Sequence, residues 1–317
     1  MSTKVLFITD PLDALDYPRD TTVSLIKEFY KNGSEVQHLD FSNINEIEKL
    51  PTQRLVGCSD SKTQPFRWEK LQKQSAHNFN FIFHRKDPPV DEAYKKTCLQ
   101  FENLPKKIIQ INNPALISSI PEKLLPLDFP EYCIPTQIVS SFEELQKTIR
   151  KLQTEIVVKP INLFSGYGIE FFSSKTSDLD LENYYKKYGP ELVLQEYVPE
   201  AETQGDLRVL MFNGLVLGAF MRRAAPGKRL QNLHQGGSIH RWELNPLQKK
   251  ATSEIGNALA KRGLYFLGVD FLGDKISEIN ITSPMGTVQI DELYDTHCES
   301  LVLAQCLELL KKGGLAK

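Results

Sequence analysis

Two residues constrain this chain more than any others: Asn213-Gly214, set between the apolar, strand-forming runs 207–212 and 215–221. A two-residue connection of this kind needs positive φ at both positions, which Asn and Gly tolerate, and the resulting tight turn folds the two runs into an antiparallel hairpin. The last third of the chain must therefore build an antiparallel sheet. A second strand pair, 265–270 and 276–279, follows a helix over 247–261 that Gly263 ends, and 300–310 reads as a closing helix.

The opening follows another pattern. A strand over 4–9, a helix over 21–30 with its apolar face at Val23, Ile26 and Phe29, a stop at Gly33 and a strand over 36–39 make a βαβ start, so a parallel sheet is expected. Strands over 79–83 and 107–111 and a helix over 92–103 extend it, while 43–77 is polar and weakly patterned and reads as an insertion or mobile loop. Prolines at 121, 126, 130 and 135 suggest a connection between domains. Beyond them Ser141-Phe142-Glu143-Glu144 is a capping-box signature for a helix to about 152, and strands over 156–159, 169–172 and 192–197 with a helix over 180–187 form a small α+β unit. The chain divides into 1–120, 121–198 and 199–317, α/β first and α+β after.

Thirty-eight basic residues against forty acidic leave a net charge of −2, so neither a nucleic acid nor an anionic membrane is an expected partner. The longest apolar stretches fall far short of the roughly 20 residues that cross a bilayer. The first residues lack the apolar core of a signal peptide, and a cytoplasmic protein is expected. Cys58, Cys98, Cys133, Cys298 and Cys306 are odd in number and contain no Cys-x-x-Cys pair, which argues against both a disulfide scaffold and a thiolate zinc site.

The residues with chemical capacity come in clusters. Asp270, Glu278 and Asn280 lie on adjacent strands. A three-residue connection over 273–275 sets Asp270 across from Glu278, and two carboxylates side by side call for a cation, with oxygen-only ligands favouring Mg²⁺. A two-residue turn instead sends them to opposite faces, and the sequence leaves both open. Lys159-Pro160 ends a strand and opens a loop with Ser165, Gly166 and Gly168, small residues that let backbone N–H groups approach phosphate. A plain hairpin loop fits equally well, since no Walker motif is present. Asp206 and Arg208 share a strand face, and 222–240 is rich in glycine and basic residues, suited to closing over phosphates or carboxylates or simply to solvation. His84-Arg85-Lys86-Asp87-Pro88-Pro89 follows a strand, at the edge where parallel sheets bind ligands, with His84 itself read as structural. No Ser/His/Asp order or reactive-thiol context points to a covalent nucleophile. What remains is phosphate handling by metal and fixed cations.

In this order the segments resemble the prokaryotic-type glutathione synthetases of the ATP-grasp superfamily. The resemblance rests on Asp10-Pro11 with Arg19-Asp20, on 85–89, on Glu122-Lys123-Leu124, Val158-Lys159-Pro160, Gly205-Asp206-Leu207-Arg208-Val209 and Asn232-Leu233, and on Gly268-Val269-Asp270 through 278–284. It implies an ATP-grasp fold with an N-terminal parallel-sheet, pre-ATP-grasp domain: substrate-binding 1–120, lid 121–198, catalytic 199–317. It implies that Lys123 and Lys159 contact the nucleotide phosphates with Ser165, Gly166 and Gly168, that Gln195, Glu196, Tyr197 and Val198 meet the adenine, and that Asp206 meets the ribose. Asp270, Glu278 and Asn280 would hold two Mg²⁺, with Mn²⁺ as substitute, and Arg208 would act catalytically, facing the transferred phosphoryl group. Asp20, Arg85, Arg222, Asn232, Gly236, Gly237 and Ser283 would line the peptide-substrate site. The implied reaction passes the γ-phosphoryl of ATP to the carboxylate of γ-glutamylcysteine, after which glycine attacks the acyl phosphate. The implied partners are small molecules, and a homo-oligomer is implied. The chain departs from the family pattern in a lid loop poorer in glycine and in Ser283-Pro284-Met285-Gly286, where Ser-Pro-Thr-Gly is usual. Two alternatives stand beside this reading: a peptide ligase of other acid or amine specificity, and an inactive nucleotide-binding regulator, against which the retained Asp270/Glu278/Asn280 set argues.

Overall fold

The computed structural model describes residues 2–70, 73–164, 166–225 and 237–315. The first sheet is built from β1 (Lys4–Thr9), β2 (Glu35–Asp40), β3 (Gln53–Cys58), β4 (Phe66–Lys70), β5 (Phe81–Arg85) and β6 (Ile109–Ile111), with α1 (Thr21–Lys31) and α2 (Glu92–Phe101) between strands and α3 (Pro114–Ser119) after them. Its order is β4-β3-β2-β1-β5-β6. β1, β2, β5 and β6 are parallel to their neighbours in the way a βαβ start requires, whereas β3 and β4 run antiparallel. The segment 43–77, expected to be an insertion or loop, thus supplies two strands, of which β4 is the edge of the sheet. Its pattern is weak because these two strands bury little: Leu55 is buried, while Phe66 and Trp68 pack only partly against the core.

The second sheet, ordered β7-β10-β8-β9 and wholly antiparallel, comprises β7 (Thr136–Val139), β8 (Ile156–Pro160), β9 (Glu170–Phe172) and β10 (Leu192–Glu196), with α4 (Phe142–Arg150) and α5 (Asp178–Tyr188) on it. At α4 the hydroxyl of Ser141 accepts from the backbone N–H of Glu144, but the Glu144 carboxylate takes the N–H of Ser140 rather than that of Ser141, so only half of the expected reciprocal cap forms.

After a short helix, α6 (Glu200–Thr203), the third sheet is ordered β13-β12-β11-β14-β15, from β11 (Asp206–Phe212), β12 (Leu215–Arg223), β13 (Ser238–Arg241), β14 (Phe266–Leu272) and β15 (Lys275–Asn280). α7 (Pro246–Ala260) lies between β13 and β14 in the chain, and α8 (Thr287–Tyr294) and α9 (Cys298–Leu315) close it. Asn213 and Gly214 have φ of 50° and 81°, the left-handed pair that a type I′ turn demands. Arg222 and Arg223, expected in the long basic loop, end β12 as strand residues paired with β13.

Apolar packing decides which sheets belong together. Val5, Phe7 and Phe83 of the first sheet share one core with Leu210, Phe212, Phe220 and Phe266 of the third and with α8 and α9. The other face of the third sheet packs on α7 and on Leu125 and Tyr132 of the proline-rich stretch. The second sheet keeps a core of its own, in which Val139, Val158 and Leu194 meet Leu145, Ile149 and Leu181 of its two helices. Among the described residues no helix is long and apolar enough to cross a membrane, and all five cysteines are free thiols.

Candidate active site

Strand register in the third sheet assembles the site. Arg222 lies across from Asp206, Arg208 across from Asp270, Asp270 across from Glu278 and Gly268 across from Asn280. β14 and β15 are joined through only two residues, with Leu272 paired to Lys275. By itself that turn would send Glu278 to the face away from Asp270, because one residue of slip inverts every side chain of a strand. A one-residue bulge at Ser277 cancels the inversion: Phe271 pairs with Ile276, but Asp270 pairs with Glu278. Ile276 and Ile279 can then both enter the core under α7, while Glu278 and Asn280 line a cavity. Gly268 makes room beside them, since a Cβ there would stand 3.1 Å from Arg208 Nη1.

The cavity, about 890 Å³, is lined by β8 and β10 of the second sheet, by the cluster just described and by Asp87 and Pro88 beyond β5. Within it Arg208 holds Asp270 with both arms, Nε donating to Oδ1 at 2.5 Å and Nη2 to Oδ2 at 2.9 Å, while its Nη1 donates to the carbonyl of Met285 at 3.0 Å. Arg222 Nη2 reaches Asp206 Oδ2 at 2.6 Å and Asp270 Oδ2 at 3.0 Å. Burial pushes the pKa of Asp270 up, but the Arg208 and Arg222 charges overrule it and hold the carboxyl at about 2. For Asp206 burial wins over the pull of Arg222, and its pKa rises to about 6. Asp206 Oδ1 and Arg222 Nε are buried with no partner among the described residues, positions that call for a ligand.

Lys159 Nζ donates to Gln195 Oε1 at 2.7 Å, and Gln195 Nε2 reaches the carbonyl of Ser277 at 3.3 Å, tying the second sheet to the third. Burial lowers the pKa of Lys159 against the opposing attraction of Glu278. Lys123 Nζ donates to the carbonyl of Leu163 and stands 3.7 Å from Glu278 Oε1. Glu122, to which no role was given from sequence, is half-buried beside Glu278 and accepts the backbone N–H groups of Ile281 and Thr282, both at 2.7 Å. Burial and the neighbouring Glu278 raise its pKa.

Four basic side chains, Lys123, Lys159, Arg208 and Arg222, thus face four acidic ones, Glu122, Asp206, Asp270 and Glu278. Asp16, Asp87, Glu196, Glu202 and Glu292 also line the cavity against Arg19, so the described residues leave no spare positive charge for a triphosphate. Asp270 and Glu278 with the Asn280 oxygen are a hard, oxygen-only donor set that suits a divalent cation completed by phosphate and water. Among the described residues no three His, Cys, Asp or Glu side chains gather closely enough to hold a metal unaided.

The cavity also brings in Gly166, Glu196, Tyr197, Val198, Gly237 and Ser283 among the residues expected from sequence. Ser165, Asn232 and Gly236 lie outside the described residues. Gly168 packs away from the cavity, its carbonyl accepting from the Tyr184 hydroxyl at 2.6 Å. Asp20 and Arg85, expected to touch substrate, have other partners. Asp20 caps α1, accepting the N–H groups of Thr22 and Val23. Arg85 is 2% exposed and donates to Thr22 Oγ1, the Pro284 carbonyl and the Met285 sulfur. It positions the 284–285 backbone, whose other side holds Arg208. Arg19, Asp87 and Met285, named from the sequence without a site role, also line the cavity, as does Gln289, which was not named; for Asp87 the signal was present, since it follows a strand of the parallel sheet.

The family models of the prokaryotic glutathione synthetase N-terminal domain and of its ATP-grasp domain match residues 3–117 and 122–295. The chain belongs to the prokaryotic glutathione synthetase family. It is therefore an ATP-dependent ligase that forms a C–N bond, and the ATP-grasp fold expected from the sequence is the fold observed. Glutathione synthetases similar to it include that of Bradyrhizobium diazoefficiens, 27% identical over 92% of this chain and 94% of the relative, and that of Thermosynechococcus vestitus, 29% identical over 95% and 98%. Among solved structures a D-cycloserine synthetase aligns with a TM-score of 0.67 at 14% identity, covering 96% of this chain and 99% of its own, a likeness of fold. Glutathione synthetases of this family use ATP, small-molecule substrates and a divalent metal.

Proposed function

We propose that this cavity joins γ-glutamylcysteine to glycine at the expense of ATP, with each side chain in the role its surroundings fit. The observation that carries the assignment is the convergence of Asp270, Glu278 and Asn280 with Arg208 on one cavity face. Lys123 and Lys159 bind the phosphates, and Asp206, with its unpartnered Oδ1, accepts the ribose hydroxyls. Residues 195–198 border the adenine. Asp270, Glu278 and Asn280 hold Mg²⁺, two ions in this reading, with Mn²⁺ able to replace it. Bound there, the metal supplies charge neutralisation for the transferring phosphoryl group.

A carboxylate resists amines because oxide is a poor leaving group, and phosphorylation supplies a better one. The protein's part is to align acid and phosphate, to stabilise developing charge and to keep water from the acyl phosphate. Arg208, fixed by Asp270 and by the Met285 carbonyl, is preorganised to face the phosphoryl group without reorienting. Ser283 and Gly237 border the acid, and Arg222 completes that side. The reading extends to a cytoplasmic enzyme, to a homo-oligomer, and to the absence of nucleic-acid and membrane partners; the near-neutral charge and five free thiols support the first and last of these.

The test is ADP release across a panel of acids and amines. Dependence on γ-glutamylcysteine and glycine together is the expected result, and release with neither would overturn it. Met285, on the cavity wall where the family pattern has threonine, favours a second reading with a different acid or amine; selective turnover of another pair from the panel would select it.

A further inference from the structure

Asp270 Oδ2 accepts hydrogen bonds from Arg208 Nη2 at 2.9 Å and Asn280 Nδ2 at 3.1 Å and forms an ion pair with Arg222 Nη2 at 3.0 Å, while Oδ1 accepts from Arg208 Nε. A carboxylate oxygen offers about two lone-pair sites, so this atom is saturated. Any cation that uses it must first displace a donor. The three groups around Oδ2 are not equally held. Arg208 grips both oxygens and is anchored from behind by the Met285 carbonyl. Asn280 is also tied to the Gly268 carbonyl at 3.1 Å. Arg222 gives Asp270 a single nitrogen that it shares with Asp206, and its Nε has no partner among the described residues. It loses least by leaving.

We infer that Arg222 is a placeholder for the divalent cation: it neutralises Asp270 in the ligand-free enzyme and is displaced from Oδ2 when the cation binds. The inference rests on the metal reading above and adds to it an exchange of one positive charge for another at a single oxygen. A guanidinium in that position keeps two buried carboxylates from standing side by side uncompensated, a situation worse than either ion pair. It also makes metal binding costly until the nucleotide contributes ligands, so that the bare cation binds weakly. Once released, the Arg222 guanidinium is free for an anionic group of the substrate.

The probe is Mn²⁺ alone, added to the full chain without nucleotide, with free Mn²⁺ read by electron paramagnetic resonance. The double variant Asp206→Asn/Arg222→Met removes one charge of each sign, so the net charge is unchanged while Oδ2 loses its second guanidinium neighbour. It should bind Mn²⁺ about tenfold more tightly than the parent. Unchanged or weaker binding by the folded double variant overturns the inference. Arg222→Met alone should also tighten binding. Arg223→Met removes the same charge one residue away, where Nε donates to the Gln204 carbonyl, and should leave the affinity unchanged. Equal tightening by Arg223→Met would assign the effect to the general field and sink the placeholder role. Glu278→Gln separates this from the parent reading: Mn²⁺ binding that survives in that variant at full strength places the cation elsewhere and removes the metal assignment itself.

Discussion

Asp270 and Glu278 face each other across two strands, yet the cavity treats them differently. Asp270 is enclosed by guanidinium groups, while Glu278 stays about one quarter exposed, with Lys123 as its ion-pair partner at 3.7 Å. Replacing Glu278 should therefore touch chemistry more than stability. Glu278→Gln is expected to lower ligation by at least about 100-fold, on the scale of losing one preorganised charge-stabilising group, with an unchanged far-UV spectrum. An active variant, measured by ADP release, would remove Glu278 from the site. Two histidines of the first sheet make a separate, structural prediction. Burial depresses His38 and His84 to about 4, against the milder opposing effects of Asp40 and Gln110. Their neutral forms are the ones the fold accepts, so their stabilisation is complete above the unfolded value near 6.5 and is lost as pH falls from there towards 4. Each is worth on the order of 3 kcal/mol across that window. Urea titrations should show stability falling between pH 6.5 and 4, and His84→Gln should flatten the slope; a flat profile in the parent protein would contradict the burial. Residue identities pointed to Asp270, Glu278, Arg208 and Lys159 because charged side chains at strand positions are informative alone. Glu122 was not legible, since its task is to accept two backbone N–H groups 159 and 160 residues away.

At the scale of elements, hairpins with explicit turn chemistry were readable and edge strands were not. Asn213-Gly214 placed β11 against β12 without further information. By contrast, β3 is mostly half-buried, β4 is mostly exposed, and a longer connection joins them, so neither alternation nor turn residues marked them. The β14–β15 pair shows why register is harder still: the two-residue turn and the Ser277 bulge have opposite effects on side-chain direction, and only their sum sets Glu278 beside Asp270. The start of β11 depends on another backbone position. Gly205 has φ of +106°, and a Cβ there would stand 2.2 Å from the Arg222 carbonyl oxygen. Gly205→Ala should cost about 1–3 kcal/mol in denaturant unfolding and reduce activity by shifting Asp206 against Arg222. Wild-type stability in that variant would show the close approach to be relaxed.

Across the whole molecule the cores predict how the sheets come apart. The first and third sheets bury one set of side chains between them, whereas the second buries its apolar residues against its own two helices and meets the rest mainly through polar contacts such as Gln195 to Ser277. Leu145→Ala, deep in that separate core, should cost about 2–5 kcal/mol and should accelerate hydrogen exchange over 136–196 while β1 and β11 stay protected. Uniform loss of protection would mean that the three sheets unfold as one. The sequence by itself determined the fold class, the order of most elements and the charged motifs proposed to handle phosphate, because periodicity, turn chemistry and short motifs are local properties. Only the tertiary structure decided which face each carboxylate occupies, that Arg85 and Asp20 have hydrogen-bond partners within the protein, that Arg222 belongs to a strand, and that Lys159, Arg208 and Arg222 meet Asp206, Asp270 and Glu278 in one cavity. Those outcomes depend on register and on contacts between residues far apart in the chain, and no window along the sequence contains both partners.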